Sequence, residues 1–271
     1  MHTYLPPHRF FPYLTWTEIE SMPDKENVVI LQPIGAIEQH GPHLPLVVDA
    51  AIATAVLGKA LEQLPENVPA YALPPLCYGK SNEHIGFPGT ITLNSTTLMA
   101  TLMELGASLY RAGFRKLAFV NGHGGQPQIL DMVARDLHQE YDGFSVFPLF
   151  VWSVPNCAAE LLTEKELELG IHAGDAETSL LLSILPDQVR MDRALVEYPQ
   201  GLPGETSDSL LTMEGARPFA WTTRDLSKSG VIGDATVATK EKGDRLLQSL
   251  SQSWVKVIQD IHHFVQPAPL Q

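Results

Sequence analysis

Cysteine is scarce in this 271-residue chain, with only Cys77 and Cys157 present. Two cysteines make no disulfide framework, so free thiols in a cytoplasmic protein are the expectation. Long hydrophobic runs are also missing. Although 44% of the residues are hydrophobic, no apolar stretch reaches the roughly 18 residues needed to cross a bilayer. Residues 1–11 carry Pro6, Pro7, His8 and Arg9 but no apolar core, so no secretory signal is expected. Positive charge is in deficit: 18 Lys and Arg stand against 31 Asp and Glu, a net charge of −13. That balance argues against nucleic acid or an anionic membrane as partner and leaves a small-molecule substrate open. Internal repeats, low-complexity tracts and a clear linker are absent too. One domain over residues 1–271 is therefore expected, long enough to bury a sizeable core.

What is present alternates between two periods. Apolar runs of strand length lie at 28–34, 70–76, 116–120 and 144–152. Helical stretches fall between them at 50–64, at 96–112 with Ser95 as the cap, and at about 127–141. Pro74 and Pro75 weaken the second strand and predict an early end or an edge position. Thr15 and Glu18 fit a capping box before a short helix that ends ahead of Pro23. Further helices are expected near 158–169, from the 172–177 segment through Leu185, and over about 235–264. In the last, Leu246, Leu247, Leu250, Trp254, Val257, Ile258, Ile261 and Phe264 recur at helical spacing. Residues 187–234 read as irregular. Strands alternating with helices predict a three-layer α/β/α fold with a mostly parallel sheet covered on both faces.

The chemistry-bearing residues gather in loops that follow strands. The first strand runs into Gly35-Ala36-Ile37-Glu38-Gln39-His40-Gly41-Pro42-His43, and Asp49 opens the next helix. Breakers place Glu38 and His40 at a strand's end, where open α/β sheets keep their active sites. The two are two residues apart, so an extended segment points both side chains one way. His123 stands in Asn121-Gly122-His123-Gly124-Gly125. That turn lacks Lys and G-x-G-x-x-G spacing, which favours a metal ligand over a phosphate cradle. A histidine simply hydrogen-bonded in a turn is the plain alternative. Glu177 lies in the first turn of a helix, where a carboxylate also suits the dipole. His172 precedes it, and the pair would supply one metal ligand and one proton-transfer group. His84 sits in a long loop, 78–94, of the kind that is often functional. His2, His8, His138, His262 and His263 have no such setting and read as surface or structural. No zinc-finger or H-E-x-x-H spacing occurs. Residue types alone point to Glu38, His40, Asp49, His123 and Glu177 as ligands for one or two divalent ions of the Zn or Mn type.

Together these blocks resemble the creatininase family, the creatinine amidohydrolases and their relatives. The match runs from Gly35 through Glu38-Gln39-His40-Gly41-Pro42-His43-Leu44-Pro45-Leu46 to Asp49, then from Tyr78-Gly79 through Glu83-His84 to Gly86-Phe87-Pro88-Gly89-Thr90. It continues through the block 121–125, His172-Ala173-Gly174 with Glu177-Thr178-Ser179, and Ser229-Gly230-Val231-Ile232-Gly233-Asp234-Ala235-Thr236. The resemblance implies one metallohydrolase domain with a dinuclear site holding two divalent ions, Zn and/or Mn. It implies hydrolysis of a C–N bond other than a peptide bond, in a small cyclic or linear amide, by a metal-bound hydroxide, in a homo-oligomer that is commonly a hexamer. Carried over, Glu38, Asp49 and His123 hold one metal. His40 and Asp49 hold the second, with Asp49 bridging, and His172 carries a proton to the leaving nitrogen.

Two positions depart from the pattern. Creatininase itself has a Glu two residues after the histidine of the Asn-Gly-His block, where this chain has Gly125. The missing carboxylate is assigned to Glu177, as metal ligand, acid–base group or both. Creatininase also has a Trp-Asp pair before its catalytic histidine, where this chain has Glu168-Leu169, which points away from creatinine as substrate. His84 and Trp152 are the expected substrate contacts. Two further readings stand beside this one. The first is a formamide or formamidopyrimidine deformylase, with Lys80 as the local basic residue. The second is a non-catalytic, metal-binding family member.

Overall fold

The computed structural model describes residues 4–203 and 208–267. The chain opens on a short helix, α1 (Trp16–Ser21). Its capping box forms as expected: the Glu18 N–H donates to Thr15 Oγ1 and the Thr15 N–H donates to Glu18 Oε2. Next come β1 (Val29–Ile34), α2 (Val48–Gln63), β2 (Ala70–Ala72), α3 (Ser95–Arg111), β3 (Lys116–Asn121), α4 (Pro127–Glu140) and β4 (Ser145–Phe150). Beyond β4 lie α5 (Ala158–Leu161), α6 (Glu164–Leu169), α7 (Asp175–Ile184), β5 (Val196–Glu197), α8 (Thr223–Leu226), β6 (Gly233–Asp234) and α9 (Lys240–His263).

The first four strands form one parallel sheet in the order β2-β1-β3-β4. β2 ends at Ala72, well short of its apolar run, because Pro74 and Pro75 offer no N–H to the ladder. Alternate strand residues enter different cores. Val29, Leu31, Ala118 and Val120 pack with α2, α7 and α9 on one face. Ile30, Ile34, Leu117 and Phe119 pack with α3 and α4 on the other. The chain thus folds as the three-layer α/β/α architecture its alternation predicts. α9 adds Leu246, Leu250, Trp254 and Ile258, all fully buried. Each such side chain contributes on the order of 1.5–3 kcal/mol of burial.

At three helix boundaries a cap moves the end away from the sequence expectation. Asn94, not Ser95, caps α3, its Oδ1 accepting the Thr97 N–H at 2.8 Å. The stretch 158–169 splits into α5 and α6 because Thr163 accepts the Glu166 N–H and starts a new helix. α9 begins only at Lys240, capped by Thr239, and 235–237 forms a 3-10 turn. The described residues of 187–234 are irregular as expected, except for 3-10 turns at Pro186–Gln188 and Met191–Arg193, α8 and the short antiparallel pair β5–β6; residues 204–207 of that expectation lie outside the described residues. Among the described residues, no helix is long and apolar enough to cross a membrane.

The topology creates the site. β1 runs through α2, on one face, to its neighbour β2. β2 then passes through α3, on the opposite face, to β3 on the other side of β1. The loops leaving β1 and β3 therefore diverge, opening a crevice at their carboxyl ends.

Candidate metal centre

Both loops at that crevice lie against the first turn of α2. Glycine makes the approach possible. A Cβ on Gly35 would sit 2.3 Å from Ala50 N, and one on Gly122 would sit 2.3 Å from Asp49 O. Asp49, in the first turn of α2, is thereby held between the Glu38–His40 loop and the His123 loop. Asn121 shapes the second loop. Its Nδ2 donates to His123 O at 2.7 Å, and its Oδ1 accepts the His123 N–H at 3.0 Å.

The sequence-predicted ligands converge and are almost fully enclosed. Glu38, His40, Asp49 and His123 are each 3% exposed or less. Asp49 faces both histidines: Oδ1 is 3.2 Å from His40 Nε2, and Oδ2 is 3.3 Å from His123 Nδ1. Glu38 Oε2 stands 3.2 Å from His123 Nδ1, and Glu177 Oε2 stands 3.9 Å from His40 Nε2. Glu38 Oε2 also accepts the Ser81 hydroxyl at 2.5 Å.

His172 and His84 close the group. The His172 ring lies 4.1 Å from that of His40 and 4.4 Å from that of His84, centroid to centroid. The segment carrying His172 is held by an antiparallel bridge to Ile232. His172 Nε2 is 2.7 Å from the Gln39 carbonyl, which only accepts, and 3.0 Å from Gln39 Nε2; the shorter contact assigns the proton to Nε2. Nδ1 is then a lone pair, 3.8 Å from Glu38 Oε1. His84 Nε2 lies 3.4 Å from Glu38 Oε1, and its Nδ1 meets Gln39 Nε2 and Thr223 Oγ1, each at 2.8 Å. Trp152 is half-buried after β4 and packs on the core shared with α9, the setting of a structural aromatic. His43 turns to Thr178 Oγ1 at 2.9 Å, a supporting contact.

Burial and charge pull the titrations in opposite directions. Burial would raise Asp49, yet His40 and His123 hold it below the ordinary carboxylate range. Burial would lower His40, yet Asp49, Glu177 and Glu38 bring it up to about 9. His123 is likewise raised, against its burial, by Glu38, Asp49 and Glu83. Burial, with Asp49 and Glu38 nearby, pushes Glu177 up to about 7. His172 is lowered by burial and by the neighbouring His40 and His84.

This donor set fits a divalent cation. Buried carboxylates without a cation are costly; Glu38 and Asp49 are buried here, and the part-buried Glu83 and Glu177 gather with them around His40 and His123. The local lysine, Lys80, is committed to Glu83 Oε2 at 3.0 Å, which leaves it ill placed for a substrate phosphate. His40 Nε2 and Asp49 Oδ2 are buried with no hydrogen-bond partner. Nitrogen and carboxylate donors of this kind suit Zn or Mn. Glu38, His40 and His172 form one group with metal-ligand spacing, His40, Asp49 and Glu177 a second, and Glu38, Glu83 and His123 a third.

Sequence reasoning missed Gln39, Ser81 and Glu83. Gln39 sits between two expected ligands, on the opposite side of an extended segment, and points to the second histidine layer. Ser81 and Glu83 lie in the loop 78–94 that was expected to be functional, but no spacing connects them to Glu38 or His123.

A sequence model of the creatininase family (creatinine amidohydrolase) matches residues 12–258. The mycofactocin precursor peptide peptidase of Mycolicibacterium smegmatis is 36% identical over 224 residues, covering 82% of this chain and 81% of that protein. The creatinine amidohydrolase of Pseudomonas putida is 31% identical over 265 residues, covering 93% of this chain and 96% of that protein. Among solved structures, a manganese form of creatininase superposes with a TM-score of 0.75 at 29% identity, over 94% of this chain and 99% of the other. A Zn–Zn form of a creatininase mutant also gives 0.75 at 29% identity, over 94% and 98%.

Proposed function

The chain belongs to the creatininase family, and from that membership we propose a metal-dependent amidohydrolase that cleaves the C–N bond of a small cyclic or linear amide. One observation carries the reading: Asp49 presents one oxygen to His40 and the other to His123. A carboxylate so placed suits two divalent ions, Zn or Mn, with Glu38, Asp49 and His123 holding one and His40, Asp49 and Glu177 the other. When bound, such ions polarise a carbonyl and lower the pKa of water towards neutrality.

The residues around that centre have separable tasks. Glu38 and Asp49 fix the ligand geometry, and Ser81 fixes Glu38. His172, neutral and with Nδ1 free, accepts the proton lost by the attacking water and returns it to the leaving nitrogen. Unprotonated nitrogen leaves poorly, so this transfer is where a general acid contributes. Gln39 holds the His172 and His84 rings in place. His84 is placed to contact substrate beside Glu38.

Against the sequence expectation of a C–N bond other than a peptide bond, a peptide bond is the favoured member of the linear class. The support is the 36% identity to a peptide peptidase, against 31% to a creatinine amidohydrolase. Glu168-Leu169, where this chain departs from creatininase, points away from creatinine. A homo-oligomer belongs to the same proposal, supported by Tyr78, Ile85 and Ile91, which are 50, 62 and 53% exposed on the loop beside the site.

The test combines metal analysis with an amine-release assay across creatinine, small linear amides and short peptides. Bound Zn or Mn, and hydrolysis that a chelator abolishes, are the expected results. A chain that takes up no divalent ion at saturating Zn and Mn overturns the reading.

A further inference from the structure

Glu83 ends against His123, on the side of the ring away from the other ligands. Gly125 explains how it gets there. A Cβ on Gly125 would lie 1.7 Å from Glu83 Oε1 and 2.5 Å from His123 Nε2. The carboxylate fits only because residue 125 has no side chain. Lys80 sets its orientation. Lys80 Nζ meets Glu83 Oε2 at 3.0 Å and Gly125 O at 3.4 Å. Oε1 is left facing His123 Nε2 at 3.2 Å, buried and without a hydrogen-bond partner. The Nε2–H is donated to Lys80 O at 3.0 Å, so carbonyl and carboxylate stand within reach of the same proton. The opposite nitrogen, Nδ1, is the one that faces Glu38 and Asp49.

We propose that Glu83 is a positioning residue for His123: its Oε1, admitted by Gly125 and oriented by Lys80, takes the Nε2–H when a divalent cation sits at Nδ1. The inference rests on the metal reading above. A carboxylate behind a ligating histidine fixes the tautomer, stops the ring from turning and raises the basicity of the ligating nitrogen. Glu83 acts through His123 and has no contact with the reacting atoms. Its place in the loop 78–94 couples that loop to the cation, since His84 beside it reaches Glu38.

Zn2+ and Mn2+ dissociation constants, measured by equilibrium dialysis on the full chain, test this. Glu83→Ala is expected to weaken binding on the order of 10–100-fold and to shift the visible spectrum of the Co2+-loaded protein. Glu83→Gln keeps an acceptor oxygen and is expected to recover most of the affinity. Gly125→Ala places a methyl group where Oε1 lies. It also sets that methyl group 2.5 Å from His123 Nε2, so it should cost at least as much as Glu83→Ala. Melting of the metal-free proteins separates these effects from misfolding. Wild-type affinity and spectrum in Glu83→Ala, or wild-type affinity in Gly125→Ala, overturn the inference alone. A wild-type chain without metal affinity overturns the metal reading and the inference with it.

Discussion

The backbone N–H of Ala173 donates to Glu177 Oε2 at 2.6 Å, and that same oxygen stands 3.9 Å from His40 Nε2. One carboxylate oxygen thus closes the loop behind His172 and points into the metal centre. Ala173 itself has φ +55°, in the left-handed region that only glycine adopts freely. The turn is held against that preference by the bond to Glu177.

Glu177→Gln should separate the two tasks of this side chain. An amide oxygen still accepts the Ala173 N–H, so the loop keeps its shape. The charge is gone, so the ion shared with His40 and Asp49 should be lost or weakened at least 10-fold, on the scale of a removed charged ligand. Without metal, burial and the neighbouring Asp49 and Glu38 hold the Glu177 pKa at about 7. Its proton must leave before a cation binds. Metal affinity should therefore rise with pH through about 7 and on towards 9, where His40 also gives up its proton, and rise less steeply around 7 in Glu177→Gln. Calorimetric titrations across that range check both slopes.

His123 and His172 should fail in different ways. His123 faces Glu38 and Asp49 through Nδ1, so His123→Ala should lose both metal and activity. His172 Nδ1 is 3.8 Å from Glu38 Oε1, and Nε2 is tied to the Gln39 carbonyl. His172→Ala should keep its metal and lose roughly 100- to 10,000-fold in turnover, the scale of a missing acid–base group. Metal content by mass spectrometry, set beside kcat, distinguishes the two. Metal-replete, fully active protein from both variants would sink the assignment.

Much of this was legible in the sequence because it is local. Glu38, His40 and Asp49 lie close together in the chain, and Gly and Pro mark the loop as the end of a strand. The alternating core of β1 and β3 follows from period and breakers. The break between α5 and α6 was also legible in principle. Thr163 and Glu166 have the spacing of a capping box, although Glu166 turns its carboxylate to the Asp175 and Asp234 N–H groups instead. Glu83 was not legible. Its role depends on an empty Cβ position at Gly125, reached only when two distant loops meet. Gln39 was hidden for a related reason, because its partners His84 and His172 are brought together only by the fold.

Acid should loosen the segment that follows α8. Glu197 Oε1 accepts the Lys228 N–H at 2.8 Å, and Oε2 accepts the Ser229 N–H at 2.9 Å and the Ser227 hydroxyl at 2.8 Å. These bonds outweigh burial, the largest single influence, and bring its pKa from 4.5 down to about 2. A folded pKa below the unfolded one stabilises above the unfolded value. That contribution is complete above about pH 4.5 and disappears as pH falls through about 2. Glu197→Gln should melt lower than wild type near neutrality, with the gap narrowing in acid. The segment also carries Gly230, whose carbonyl accepts from Gln39 Nε2 at 3.2 Å. Melting curves at several pH values test this, and a gap that widens in acid would contradict it.

Gly243 decides how closely α9 crosses α7, and α7 carries Glu177. A Cβ at 243 would lie 1.8 Å from Ser179 O and 2.5 Å from Ser179 C. Both atoms are helix backbone, so no side chain can swing aside. Two effects of Gly243→Ala oppose each other. Alanine favours a helix interior over glycine by roughly 1 kcal/mol. The clash forces the helices apart and strains a core that includes Leu246 and Leu250, at a typical cost of about 1–3 kcal/mol. An overlap this deep puts the expected cost at the upper end, so destabilisation wins. Lys242, which bonds Asp175 Oδ2 at 2.5 Å, and Thr239, whose N–H bonds Ser179 Oγ at 3.1 Å, would be pulled away with α9. Because Asp175 opens α7 two residues before Glu177, metal affinity should fall together with stability. Urea unfolding, with metal binding measured on the same protein, tests the pair of effects. A Gly243→Ala protein as stable as wild type would show that the crossing has slack that the 1.8 Å approach denies.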